Sequence, residues 1–241
     1  MSAAHKEPVA VVTGASSGIG RSIALELGKS GHILHLIGRN SARLIEVRDV
    51  APAGSQVHVV DFDDIHRLGS FLQSFPQSLG GLDILIHSAG VCAAGSFEDL
   101  SVDELDHHWR VNLRAPYVIT KALLQALRSK QGQIVYVNSS TAFLRGIGSA
   151  NTGYTITKQA LRVFADAVRT EVNADGVRVA TVYPGKTATG MQEAIHRSSG
   201  KAYRPDLLMS PDDVAVVVMH ALSLPRSAEL TDIVMRPMRK S

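Results

Sequence analysis

The chain has 241 residues, 45% hydrophobic and 20% charged, with 25 Lys and Arg against 22 Asp and Glu for a formal net charge of +3. This length and composition fit a globular fold with a sizeable core and exclude a disordered chain; the basic residues are scattered, which argues against a nucleic-acid footprint. The single cysteine, Cys92, rules out an intrachain disulfide and fits a reducing compartment. The opening MSAAHKEPVAVV lacks the apolar core of an export signal, and no apolar run reaches membrane-spanning length. The expectation is a cytoplasmic protein without a nucleic-acid or membrane partner.

VAVV (9–12) predicts a first strand, followed by TGASSGIG and a helix over 19–31. Ile19, Ile23 and Leu27 share one face of that helix, and Gly31 ends it. HILHLIG (32–38) predicts a second strand, with a polar helix from Ser41. VHVVD (57–61) predicts a third, with a helix from Asp63 or Asp64, and DILIHSAG (83–90) a fourth. A capping box from Ser101 to Glu104 opens a long helix ending near Ser129. QIVYVN (133–138) is the fifth strand, before a helix over 153–174, and RVATVYPG (178–185) is the sixth. Ser210-Pro211-Asp212-Asp213 starts a further helix, and ELTDIVMRPM (229–238) is the seventh strand. Strand and helix alternate without linker or repeat. The pattern predicts an α/β fold: a single doubly wound Rossmann-type domain over residues 1–241, with a seven-stranded, mostly parallel sheet and helices on both faces.

The glycine-rich turn sits between the first strand and the first helix. Gly14 lets the chain leave the strand tightly, and Gly18 and Gly20, with Ser16, Ser17 and Ile19 around them, let a pyrophosphate approach the backbone at a helix N-terminus, where unpaired N–H groups and the dipole favour anions. At the end of the second strand, Gly38 offers no carboxylate for a ribose 2′-hydroxyl, whereas Arg39 offers a cationic fork for a 2′-phosphate, with Arg43 able to share it. NADP is therefore expected over NAD. Asp61, after the third strand, either holds an adenine amino group or caps a helix. Gly14, Arg39, Asp61, Gly90, Ser139 and Pro184 each follow a different strand, and in a parallel sheet those ends share one edge.

TGASSGIG, the SAG of HSAG (88–90), the Asn of VNL (111–113), the serine cluster at 139, Tyr154-x-x-x-Lys158 and PGKTAT (184–189) resemble the short-chain dehydrogenases/reductases, in the family's order and over nearly the whole chain. The resemblance implies hydride exchange between a nicotinamide and a carbonyl or alcohol carbon. It implies Tyr154 as general acid/base, Lys158 on the nicotinamide ribose, a serine orienting the substrate oxygen, and Asn112 supporting a proton relay. Asp61, Ser88, Ala89 and Gly90 would hold the adenosine half, and Pro184, Gly185, Thr187 and Thr189 would lie against the nicotinamide. A homodimer or homotetramer built from the fourth and fifth helices and the C-terminal segment is also implied.

Tyr154 and Lys158, four residues apart on a helix, share a face, so a fixed ammonium is expected to pull the phenol below its ordinary pKa of about 10. Pro116, four residues after Asn112, has no N–H to give to the Asn112 carbonyl. That residue either frees an acceptor for a water in the relay or marks a kink or helix end. The family's serine lies thirteen residues before its tyrosine, a position held here by Thr141. Counting forward from Gly132 along the strand instead selects Ser139, with a two-residue extension in the following loop and Ser140 as the alternative. Strand alternation would point Ser139 and Ser140 to opposite faces.

His87 stands where the family has asparagine and reads as structural. His107 and His108 lack a third ligand, so no metal is expected, and Cys92 reads as a packing residue. Lys186, Arg197, Lys201 and Arg204 border an expected lid over 186–209, as solvated charges or as partners of an anionic substrate. The expectation is an NADP-dependent oxidoreductase acting on a small-molecule carbonyl or secondary alcohol, with 3-oxoacyl thioesters and small ketones or 3-hydroxy acids as competing substrates. The alternative is a nucleotide-binding scaffold without turnover.

Overall fold

The structure is a computed structural model that describes residues 7–93, 95–144 and 151–239. Most of the opening segment and the loop extension expected before Tyr154 lie outside the described residues. Seven strands, β1 (Val9–Thr13), β2 (Ile33–Gly38), β3 (Gln56–Val59), β4 (Ile84–His87), β5 (Gln133–Val137), β6 (Arg178–Pro184) and β7 (Asp232–Met235), form one sheet in the order β3-β2-β1-β4-β5-β6-β7. Every neighbouring pair is parallel, so the sheet is more uniform than the mostly parallel arrangement expected. The strand order reverses beside β1, which pairs with both β2 and β4.

The helices are α1 (Gly18–Lys29), α2 (Ser41–Arg48), α3 (Ile65–Ser78), α4 (Val102–Trp109), α5 (Ala115–Lys130), α6 (Thr152–Val172), α7 (Gly190–Ser198) and α8 (Pro211–Ser223). The strands read as continuous apolar runs because both faces are covered. Ala10 and Val12 face a core with Ile23, Leu27, Val214 and Val218, while Val11 between them faces another with Leu123, Leu127 and Leu161. Burying each such Leu, Ile or Val side chain contributes roughly 1.5–3 kcal/mol. Side chains fix several helix starts: Asn40 accepts from Arg43 N–H, and Asp64 from His66 and Arg67. Capping boxes join Ser101 to Glu104 and Ser210 to Asp213.

The helix expected over 101–129 is one continuous path with a change of pitch. Between α4 and α5, residues Arg110–Arg114 form a π-helical turn, closed by the Ala115 N–H bonding the Arg110 carbonyl. Pro116 follows in the first turn of α5. A proline here removes one i→i−4 donor, and the wider turn absorbs the lost bond without ending the helix. Among the described residues, no helix is long and apolar enough to cross a membrane.

Three histidines are built into the fold as neutral groups. His35 Nδ1 lies 3.0 Å from His58 Nε2, the two rings stack, and Phe71 and Phe75 pack against them. Burial, reinforced by His58, depresses the His35 pKa to about 4, and burial lowers His58 as well. His87, wholly enclosed, is pushed down to about 3 by burial. Unfolded imidazoles titrate near 6.5, so as pH falls through that value the unfolded chain takes up protons that the folded chain refuses. Stability is therefore expected to be full above about pH 6.5 and to decline toward pH 4, with His35 alone contributing on the order of 2–3 kcal/mol. The check is the thermal midpoint followed from pH 7.5 to 4.5; a flat profile would contradict neutral burial of these rings.

Candidate active site

The edge formed by the carboxyl ends of the strands carries a cleft of about 500 Å³. Its floor is the turn from β1 into α1. Gly14 has a φ of +69°, and a Cβ there would lie 2.7 Å from the Ala89 backbone nitrogen; a Cβ on Gly20 would lie 2.4 Å from the Gly14 carbonyl oxygen. Only glycine fits at either position, and both keep the turn pressed against the end of β4. Ser17, at the N-cap of α1, makes no side-chain cap bond, and the first turn has no acid. Gly18, Ile19 and Gly20 thus bring an unneutralised helix N-terminus to the cleft wall beside Ser16 and Ser17. One hydroxyl ties the floor together: Thr13 Oγ1 donates to the Ile86 carbonyl at 3.2 Å and accepts from Ser88 N–H at 3.1 Å and Ala89 N–H at 3.3 Å.

Arg39 and Arg43 line the outer end of the cleft beside Gly38, and neither forms an ion pair with a described residue. Asp61 also lines it, and its Oδ1 accepts from the Asp63 N–H at 3.0 Å. Capping of α3 falls to Asp64 instead, which removes the helix-cap alternative for Asp61. Ser88, Ala89, Gly90, Tyr154, Lys158 and Thr189 complete the predicted residues in this cleft.

A smaller chamber of about 340 Å³ adjoins it, and Tyr154, Asn138, Ile19, Thr189 and Met191 form the wall shared by both. Pro184, Gly185 and Thr187, expected against the cofactor, line this chamber rather than the cleft. Ser139, Ser140 and Thr141 all line it. Alternation does not separate the two serines, because β5 ends at Val137 and a 3-10 turn over Ser140–Phe143 follows. Ser139 distinguishes itself by its surroundings: it is 92% buried, accepts from Thr141 Oγ1 at 3.0 Å, and lies near enough to the Tyr154 phenol to lower its pKa.

Lys158 is 3% exposed. Its Nζ donates to the Val137 carbonyl at 3.1 Å and sits 5.7 Å from the Tyr154 ring centre. Burial lowers its pKa to about 8. The phenol departs from the expectation: burial pushes the Tyr154 pKa up to about 12, against the opposing effect of Ser139. Desolvation of the phenolate outweighs an ammonium that is itself desolvated and aimed at a carbonyl. Cys92 faces the smaller chamber with its thiol raised to about 11 by burial, Lys158 opposing, so it is held in the protonated, unreactive form.

Asn112 lines neither cavity. Wholly buried, it accepts from Val91 N–H at 2.8 Å and donates to the Val91 carbonyl at 2.9 Å and to Thr157 Oγ1 at 3.1 Å. One turn earlier, His108 is equally buried: Nδ1 meets the Glu104 carbonyl at 2.7 Å, and Nε2 accepts from Ala93 N–H at 2.9 Å. Together they clamp residues 91–93, the segment that carries Cys92. The spacing of four from Asn112 was the available signal for His108. His107 pairs with Asp63 at 3.0 Å. His87 bonds Thr120, which bonds Tyr136, and stacks on the Tyr136 ring, the structural role expected. Asn138, Asn151, Gln192 and His196, not anticipated, also line the smaller chamber.

The expected lid holds α7 and a 3-10 turn over Pro205–Leu207. Its two stems are joined at the base, where the Met209 N–H reaches the Lys186 carbonyl and the Ala188 N–H reaches the Met209 carbonyl. Thr189 caps α7.

Residues 8–200 match the short chain dehydrogenase family, and the chain belongs to that family. It is an oxidoreductase by this membership, with a Rossmann-type α/β fold. Among its relatives, an uncharacterized oxidoreductase of Staphylococcus aureus strain N315 is 31% identical over 233 residues, covering 96% of this chain and 97% of that one. One from Staphylococcus epidermidis is 29% identical, covering 96% and 98%. Among solved structures, an alcohol dehydrogenase from the archaeon Thermococcus sibiricus, complexed with 5-hydroxy-NADP, superposes with a TM-score of 0.84 at 27% identity, covering 98% and 99%. A metagenomic short-chain oxidoreductase in complex with NADP gives 0.80 at 28% identity, covering 97% and 98%.

Gly20→Ala is expected to force the turn off the end of β4. Overpacking of this kind costs about 1–3 kcal/mol, which lowers the thermal midpoint by a few degrees, and dinucleotide binding followed by fluorescence should weaken at least tenfold.

Proposed function

We propose that this protein is an NADP-dependent reductase or dehydrogenase acting on a carbonyl or secondary alcohol, with Tyr154 as general acid/base. The observation that carries this reading is the position of Tyr154 in the wall common to two cavities, beside Ser139, which lowers its pKa, and packed near the buried Lys158 ammonium. The residues fit a dinucleotide: the floor of the cleft has no room for a Cβ at Gly14 or Gly20, and α1 opens on the cleft without a cap or an acid. Arg39 and Arg43 beside Gly38 suit a 2′-phosphate better than a 2′-hydroxyl. The NADP ligand of the metagenomic oxidoreductase and the 5-hydroxy-NADP of the Thermococcus enzyme support the same choice.

The chemistry that a bound nicotinamide supplies is hydride transfer to or from the substrate carbon. In the reducing direction Tyr154 gives its phenolic proton to the oxygen that becomes the alcohol. A phenol near pKa 12 stays protonated through the neutral range and is still far more acidic than an alcohol, so it serves as the donor. Ser139 holds the same oxygen in place. Lys158 stabilises the phenolate left behind, and it can do so only while charged. Pro116, with no N–H for the Asn112 carbonyl, supports a water-held relay that returns a proton toward Lys158.

Tyr154→Phe should lower kcat by about 10²–10⁴ with NADPH affinity changed less than twofold; binding without turnover in the wild-type protein would mark a scaffold instead. Because the Lys158 ammonium is lost above about pH 8, kcat/KM for reduction is expected to be steady below that value and to fall above it. Arg39→Ala should weaken NADPH at least tenfold while leaving NADH nearly unchanged; equal losses would remove the 2′-phosphate assignment.

A further inference from the structure

The His108 ring is wholly buried, and both of its nitrogens are engaged. The Glu104 carbonyl, 2.7 Å from Nδ1, can only accept, so Nδ1 carries the proton and donates; Nε2 then presents its lone pair to the Ala93 N–H at 2.9 Å. Two side chains divide the segment that runs through this bond. Asn112 takes Val91, on the cleft side, through both ends of its amide. His108 takes Ala93, next to Cys92 in the wall of the smaller chamber. Two residues further on, Gly95 pairs with Asn151 in an isolated parallel bridge and accepts from the Thr152 N–H at 3.4 Å. Asn151 lines the smaller chamber, and Thr152 opens α6 two residues before Tyr154. The ring also lies directly against that helix: a Cβ on Gly153 would sit 3.2 Å from His108 Nδ1.

We infer that His108 is a positioning residue for the smaller chamber: its bond to Ala93 sets the wall that carries Cys92 and the strap that ties this wall to the head of α6, and so sets where Tyr154 meets substrate. The inference rests on the reductase reading and adds to it a residue that lines neither cavity. Without the bond, a backbone N–H loses its acceptor and the segment between Val91 and Gly95 is released to shift. A shift of about 1 Å in a positioned group can cost about 10²-fold in rate. The geometry also separates the two halves of the imidazole. The Glu104 bond joins residues of one helix, whereas the Ala93 bond crosses from α4 to the site.

The test compares His108→Gln with His108→Asn. A glutamine amide reaches the place of Nε2 and keeps an acceptor for Ala93; an asparagine amide reaches only the place of Nδ1 and keeps the Glu104 bond. Assayed with NADPH and a ketone that the wild-type protein reduces, the Gln variant should hold kcat/KM within about threefold, and the Asn variant should lose about tenfold or more. NADPH affinity should change less than about twofold in either, because Asn112 holds the cleft side independently. A histidine that only stabilised the fold would lower the thermal midpoint of both variants and leave their kcat/KM alike. A second readout needs no turnover: Cys92, the sole cysteine, should be alkylated by iodoacetamide about tenfold faster in the Asn variant than in the wild type or the Gln variant. A third depends on neither variant folding: in the wild-type protein the Ala93 amide should exchange with deuterium at least about 10²-fold more slowly than an unprotected amide. Equal kcat/KM in the two variants, a parallel loss of NADPH affinity, equal alkylation rates, or rapid exchange at Ala93 overturns the inference while the reductase reading stands. Absence of wild-type turnover with any carbonyl overturns the reductase reading, and alkylation and exchange still decide whether His108 holds the wall.

Discussion

Parallel pairing of all seven strands forces every carboxyl end to a single edge of the sheet, and the rest of the site depends on that constraint. Residues far apart in the chain become neighbours because each leaves its strand in the same direction. The Thr13 hydroxyl shows how tightly the edge is held: one oxygen at the end of β1 engages three backbone groups at the end of β4. That bond set joins the two strands between which the order reverses, where the two halves of a doubly wound sheet diverge and a ligand groove opens. The glycines at 14 and 20 let the turn lie against this joint.

Above the edge, the site is made of polar groups taken out of water, several of them held by full sets of hydrogen bonds. Asn112 uses both ends of its amide, and His108 both ring nitrogens, to hold residues 91–93. The π turn that carries Asn112 is where the long helix changes pitch ahead of Pro116. At the Tyr154–Lys158 pair burial outweighs compensation, and the charged forms of both are disfavoured. Such a pair shifts its proton readily once a charge or a polar oxygen arrives beside it, which suits groups that exchange protons.

Much of this was legible in the sequence for definite physical reasons. Strands covered on both faces are continuous apolar runs, and the capping residues Ser101, Ser210 and Asp64 mark their helices by local hydrogen bonds. The placement of Gly14, Arg39, Asp61 and Gly90 at one edge followed from parallel topology alone, and the structure brings them into one cleft. The pitch change at Arg110–Arg114 was hidden because the apolar pattern runs through it. The phenol's pKa moved the opposite way from expectation because spacing of four reports a shared helix face, not where an ammonium points or how dry its surroundings are. Asn151, His196 and Lys201 could not be assigned to the chamber from sequence, since loops from several connections meet there and only the packed chain decides which side chains line it.

The edge that gathers these groups also sets when they can exist. The turn after β1 and the segment after β6 enclose one site, yet some 170 residues separate Thr13 from Pro184, and sequence-distant contacts of this kind close slowly and late. No fragment lacking β6 contains the wall on which Pro184 and Gly185 sit. A nascent chain that has not yet added β6 therefore lacks one wall of the smaller chamber. The two cavities thus come together only with completion of the sheet.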